Sequence, residues 1–342
     1  MARMLKGGLR ALGAGVLLAL AAGVFSAAAQ AGCSCGFTPA QRATADKELW
    51  LNKRDQNASI AQHLPWGLPQ TRRGGYVVRE LVQRDYVTGY STELAIPVWT
   101  AHKLTAKTLA AREKAKKSAA DPSRKSCFRA DPRLTNEETA VCSNYEEPVF
   151  DQGHLVPDAD MPAKPIASLV NSYVFSNIAP QYCHFNRGVW LFAEGMVRAW
   201  AKEKGEVNVI SGAVFDKDRN DRPDATDAPK RLKPNKFGAA PAIATHFYKV
   251  VLHKGEDGAI EAIAILLPHN NEERTRQQAR DYLQQHIVSI DAIEKVAGVD
   301  LPPHITGARA PGQESVERLL APELWETEGG LPSTFDGACK DG

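Results

Sequence analysis

Residues 151–200 concentrate the side chains able to do chemistry. The segment opens on Asp151-Gln152-Gly153-His154 and runs on through Asn177, Asn186, Glu194 and Arg198. Asn186, Trp190, Glu194 and Arg198 recur every four residues. At about 100° per residue, such a set stays on one broad side of a helix. An amide, a carboxylate and a guanidinium would project together there, and a histidine on a neighbouring strand could meet them. Histidine takes up a proton near neutral pH. Asn and Glu oxygens are hard ligands suited to Mg²⁺, which keeps several waters and asks for few protein groups. Arg offers paired donors that match phosphate. The set fits metal-assisted hydrolysis of a phosphodiester. Spacing alone says little, because Gly-His is a common dipeptide and a helix bearing Asn, Glu and Arg is ordinarily a solvated polar face.

Longer strings narrow the reading. Ser176-Asn177-Ile178-Ala179-Pro180-Gln181 follows the Gly-His pair, and Asn186-Arg187-Gly188-Val189-Trp190 leads to Glu194 and Arg198. Together they resemble the DNA/RNA non-specific endonuclease family, which carries D-R-G-H, S-N-I-x-P-Q and N-x-G-x-W-x-x-x-E with Arg four residues on. The resemblance implies His154 as general base and Asn186 as the direct Mg²⁺ ligand. It implies that Glu194 holds metal-bound water, and that Arg198 and Asn177 support the phosphate and the site geometry. Gln152 and Arg187 are candidate substrate contacts. Gln152 stands where the family has Arg and brings no charge, so weaker phosphate binding or a shifted optimum is expected. Mn²⁺ or another divalent ion is the alternative cofactor. DNA and RNA are the expected partners through phosphate and sugar contacts, which carry little sequence information. A second copy of the chain and an inhibitor protein are further candidate partners.

The elements around these residues must position them. Residues 76–82, 86–90, 97–104, 207–212, 242–252 and 260–267 read as strands from their β-branched and aromatic content. Several also resemble the family's strands, so the likeness runs from about residue 75 to about 305. The expected fold is α+β: a central, mostly antiparallel sheet flanked by helices, with a ββα-metal finger as the catalytic insert. A helix is expected over 38–55 and another near 290–302. The expected divisions are a signal peptide at 1–31, an N-terminal extension at 32–74, the nuclease domain at 75–305 and a tail at 306–342.

Composition sets the compartment. The chain has 342 residues and a formal charge of +2. Arg3, Lys6 and Arg10 are the charges of residues 1–31, so their removal leaves −1. Nucleic-acid contact must then come from local basic surface such as residues 103–117 or 230–236. The basic start, the apolar run 11–25 and the small residues behind it read as a secretory signal, with secretion or a periplasmic location as the outcome. Alternatives are a membrane anchor and lipidation at Cys33. No other apolar run is long enough to cross a membrane. The cysteines number six, an even count that suits disulfides in an oxidising compartment. Cys127–Cys142 is the first expected bridge, and Cys183 is expected to pair with Cys35 or Cys339. A zinc site from Cys183, His184 and His154 is the rival use of those groups. Asp158 and Asp160 read as loop or capping acids, with a second metal as the alternative, and His102 as a structural or substrate-edge residue. The rival functions are a nuclease fold that binds nucleic acid without cutting it, an extracytoplasmic metal-binding or structural protein, and a phosphodiesterase for small nucleotides.

Overall fold

The computed structural model describes residues 33, 35–72, 75–116, 126–216, 218, 229–302, 320–328, 332 and 339. The expected signal peptide and much of the tail lie outside them. Chain order begins α1 (Pro39–Glu48), α2 (Lys53–His63), β1 (Gln70–Thr71), β2 (Arg79–Val82), β3 (Val87–Ser91), β4 (Ile96–Thr105) and α3 (Ala106–Lys116). Then come β5 (Phe150–His154), α4 (Ile166–Ser172), β6 (Ile178–Tyr182), α5 (Leu191–Glu203) and β7 (Glu206–Val214). The order closes on β8 (His246–Lys254), β9 (Ile260–Pro268), α6 (Arg276–Gln285), β10 (Ile287–Val288), α7 (Ile290–Ala297) and β11 (Val299–Asp300).

The architecture is the expected α+β one. A seven-stranded sheet runs β10-β9-β8-β7-β4-β3-β2 with every neighbouring pair antiparallel. Most of the residues of β3, β4 and β7 are buried, so these central strands are covered on both faces. Helix α5 lies against β4 and β7, and α7 against β7 and β9. Trp99, Trp190, Trp200, Phe192 and Phe247 are fully buried in the main core. Burying side chains of this size contributes on the order of 2–3 kcal/mol each. The candidate catalytic stretch stands apart from the sheet as a two-stranded ribbon, β5 against β6, with His154 opposite Ile178. A π-turn over Phe185–Trp190 carries β6 directly into α5.

Two local expectations change. The single helix expected over 38–55 is two helices. Asn52 leaves the helical conformation and its side chain accepts from the Asp55 backbone N–H at 3.0 Å, starting α2. An internal Asn that caps a new helix satisfies donors that would otherwise be orphaned. The Cys127–Cys142 bridge does not form. Cys33 pairs with Cys142, Cys35 with Cys127, and Cys183 with Cys339. Cys35 and Cys127 face each other across an isolated antiparallel bridge, so the N-terminal segment takes both partners that proximity in sequence had joined. The third pair matches one of the two expected for Cys183, and its oxidation removes the thiolate that the zinc alternative required.

Candidate active site

The ribbon is built to hold His154 still. Leu155 N–H donates to the Asn177 carbonyl at 3.0 Å, and Trp190 Nε1–H donates to the His154 carbonyl at 2.9 Å. Asn177 is fully buried, and its amide is spent on backbone. Oδ1 accepts from Val156 N–H at 2.9 Å, while Nδ2 donates to the carbonyls of Val156 and Ser172 at 2.9 and 2.8 Å. Ser176 donates to Asp131 at 2.6 Å, and Asp131 is itself gripped by Arg133. Gly153 is needed for close approach: a Cβ there would sit 2.2 Å from Gln181 Oε1, inside any real contact.

His154, Pro157, Asp158, Asn186, Arg187, Leu191 and Glu194 line one cleft of about 390 Å³. Four of the expected site residues therefore meet. The imidazole packs against Phe128 and, edge-on, against Tyr173 at a centroid distance of 4.9 Å. Its Nε2 is covered and has no hydrogen-bond partner among the described residues. Burial pushes its pKa below the ordinary histidine value, and Asp158 acts weakly the other way. Asp151 accepts from Arg187 Nε and Nη2, both at 2.8 Å, and from Asn186 Nδ2 at 2.9 Å. The contact from Asn186 turns its amide so that the nitrogen faces Asp151, leaving the oxygen free of that carboxylate.

Glu194 is buried on α5 with no side-chain hydrogen bond among the described residues; Arg198 Nη1 is the nearest paired cation at 3.9 Å. Burial raises its carboxyl pKa, opposed by Lys249 and Arg198. Lys249 enters from β8 beneath the site. Its Nζ donates to Ser211 Oγ at 3.0 Å and lies 3.8 Å from the Trp190 ring centroid. Burial lowers its pKa, and Glu194 and Asp160 oppose that. Arg198 does not line the cleft. It donates to Asp160 Oδ1 at 3.1 Å, while His102 Nε2 sits 3.1 Å from Asp160 Oδ2. Burial alone would raise the Asp160 carboxyl, but His102 and Arg198 hold it below the usual range. Gln152 is also outside the cleft, its Nε2 meeting Cys33 Sγ at 3.6 Å.

Asp151, Asp160 and Lys249 were missing from the sequence-based site. A lysine inside the apolar string His246-Phe247-Tyr248-Lys249-Val250-Val251 was the legible signal, since a buried cation requires a partner. The donor set also fits a hard divalent ion. Among the described residues the Asn186 amide oxygen has no hydrogen-bond partner, and Glu194 is a buried carboxyl whose nearest paired cation stands beyond hydrogen-bonding distance.

Comparison with known proteins agrees with this geometry. The chain is 25% identical over 308 residues to a venom phosphodiesterase of Macrovipera lebetinus, covering 84% of this chain and 34% of that protein. It is 25% identical over 291 residues to ectonucleotide pyrophosphatase/phosphodiesterase family member 3 of Mus musculus, covering 78% and 32%. The chain thus spans about a third of the length of these relatives. Against Nuclease C1 of Cunninghamella echinulata var. echinulata it is 26% identical over 223 residues, covering 65% of this chain and 82% of that protein. Residues 71–306 match the family model described as DNA/RNA non-specific endonuclease, and with the ββα ribbon and its histidine cleft in place, the chain belongs to that family.

Proposed function

We propose that the chain is a metal-dependent endonuclease that hydrolyses DNA and RNA with little sequence preference. The observation that carries this is the meeting of His154, Asn186 and Glu194 in one cleft, with Asp151 turning the Asn186 amide. Asn186 and, through water, Glu194 would hold Mg²⁺ or a similar ion. When bound, that ion would neutralise charge on the phosphate and the leaving oxygen. His154 takes the proton of the attacking water. Its lowered pKa keeps it in the basic form at neutral pH, which general-base catalysis needs. Asp151 orients Asn186 and restrains Arg187 at the cleft, where the guanidinium can meet phosphate. Arg198 acts by positioning: paired with Asp160, it ties α5 to the turn after His154. Asn177 acts likewise through the backbone.

Three disulfides and the basic, then apolar start of the chain support secretion or a periplasmic location. Among the described residues, no helix is long and apolar enough to cross a membrane.

The test is cleavage of supercoiled plasmid and of a structured RNA with Mg²⁺, Mn²⁺ or chelator, beside His154→Ala and Asn186→Ala. Metal-dependent nicking lost in both variants is the expected result. Gln152 favours a second reading, a nuclease fold that binds without cutting, because its amide meets a disulfide sulfur and not the cleft. On that reading DNA binds, no ion supports cleavage, and His154→Ala behaves like the parent.

A further inference from the structure

Asp158 lies in the catalytic cleft and none of the roles above uses it. It lines the same wall as His154, Asn186 and Glu194. Its Oδ2 accepts from the Tyr173 hydroxyl at 2.5 Å. The same Tyr173 ring stands edge-on to the His154 imidazole at 85°, so the carboxylate is tethered beside the catalytic histidine. Its charge is felt by His154, Glu194 and Arg198 together.

Two other acids of this neighbourhood are committed to cations. Asp151 is held by Arg187, and Asp160 by Arg198 and His102. Among the described residues, Asp158 forms no ion pair and its Oδ1 accepts no hydrogen bond. Nor is it needed by the local backbone: the 158–160 turn begins at Pro157 without a side-chain cap.

An ionised carboxylate can only accept hydrogen bonds. In a cleft that takes a phosphodiester, it repels phosphate oxygens and finds nothing to bind on a sugar without hydroxyls. It needs a donor close to phosphorus. In a nucleic-acid strand the donor next to the phosphodiester is the ribose 2′-hydroxyl, which DNA lacks and which distinguishes the two polymers. Base N–H groups stand a full sugar further away. Resting on the nuclease reading, we propose that Asp158 reads the sugar: its free oxygen accepts the 2′-hydroxyl beside the scissile phosphate and favours cleavage of RNA linkages over DNA linkages. Tyr173 is the positioning residue that aims the carboxylate.

The test uses three strands of one sequence, each with Mg²⁺ or Mn²⁺ and with chelator as control. One is all deoxy, one carries a single ribonucleotide, and one carries a single 2′-fluoro nucleotide, which cannot donate. Cutting at that linkage is scored against its neighbours in the same strand, which cancels differences in protein activity. The parent is expected to cut the ribo linkage about tenfold more readily than the deoxy one, the range of a charge-assisted hydrogen bond in a half-exposed site. The 2′-fluoro strand should lose that gain. Asp158→Ala should bring the ribo-to-deoxy ratio close to one, and Tyr173→Phe should lower it part of the way. Absence of a parental preference, an unchanged ratio in Asp158→Ala, or a 2′-fluoro linkage cut as readily as the ribo one would each overturn the proposal. Failure of every strand to be cut with either metal is a different result and sinks the nuclease reading itself.

Discussion

Acid should loosen the hold on the end of β6 through His269, and the effect can be sized. His269 donates from Nδ1 to the Ala244 carbonyl at 2.9 Å, while its Nε2 accepts the Tyr182 N–H at 2.8 Å. A ring nitrogen that must accept cannot carry a proton, so the imidazole is neutral in the fold. Burial, only partly offset by the Ala244 hydrogen bond, lowers its pKa from 6.5 to about 4. The folded value is the depressed one. Stability from this group is therefore complete above pH 6.5, falls as the unfolded chain takes up its proton, and is fully lost once pH drops through about 4. A shift from 6.5 to about 4 at 1.36 kcal/mol per unit gives about 3 kcal/mol. Other buried groups are shifted too: burial raises Glu194 and Asp85 and lowers His154 and His63. Those contributions are common to the parent and to His269→Gln, whose amide can still donate to Ala244 and accept from Tyr182. The difference between the two proteins isolates one histidine. Urea unfolding free energies at pH 7 and pH 4 should show the parent losing about 3 kcal/mol more than the variant. Equal losses would refute the argument that the Tyr182 contact keeps this imidazole neutral. Because Tyr182 ends β6 four residues before Asn186, acid should also weaken cleavage in the parent before the sheet unfolds.

Three further outcomes follow from the site. Lys249→Met removes a cation that restrains the Glu194 carboxyl, so that carboxyl should rise further, and the acid limb of the pH–rate profile should move to higher pH. Asp151→Ala frees both the Asn186 amide and Arg187. It deletes charge-assisted bonds of about 1.5–3 kcal/mol each at full burial, so half-maximal cleavage should need about tenfold more Mg²⁺, read from a metal titration. Cys339→Ser opens a bridge spanning a sequence separation of 156. It should cost about 2–5 kcal/mol in denaturant unfolding, with no change if the tail contributes nothing to the fold.

The sheet and the ribbon were legible because their signals are local. β4, β7, β8 and β9 are β-rich runs between turn residues, and His154, Asn186, Arg187 and Glu194 sit in strings of fixed spacing. What was hidden depends on partners far along the chain. α6 has Ala279 and Leu283 as its buried residues, too few for an apolar stripe, and its readable mark was the capping box of Thr275 with Gln278. The cysteine pairing turns on how the N-terminal segment is laid beside residues 127 and 142, which no spacing states. Arg198 was expected to face phosphate. Asp160, four residues from the helix in neither direction but bound to it in space, takes its guanidinium instead, and sequence distance cannot show such a tie.

The acids around the cleft fall into two kinds, and the division explains why a polyanion would need a cation to enter. Asp151 and Asp160 are neutralised by Arg187, Arg198 and His102, and these pairs fix Asn186 and α5 in place. Asp158 and Glu194 face the cleft without a cation in direct contact. Lys249 and Arg198 stand near Glu194 but are engaged with Ser211 and Asp160. A bare phosphodiester would then meet the Asp158 carboxylate across a space of about 390 Å³, where like charges repel, and a Glu194 carboxyl that burial pushes toward its neutral form. A divalent ion on Asn186 and Glu194 would reverse the sign on one side of the cleft. Asp158 stays negative on the other, which leaves it free to select a sugar hydroxyl. Phosphate admission and sugar preference would therefore be separable: metal concentration should govern the first for DNA and RNA alike, while replacement of Asp158 should alter the second at saturating metal.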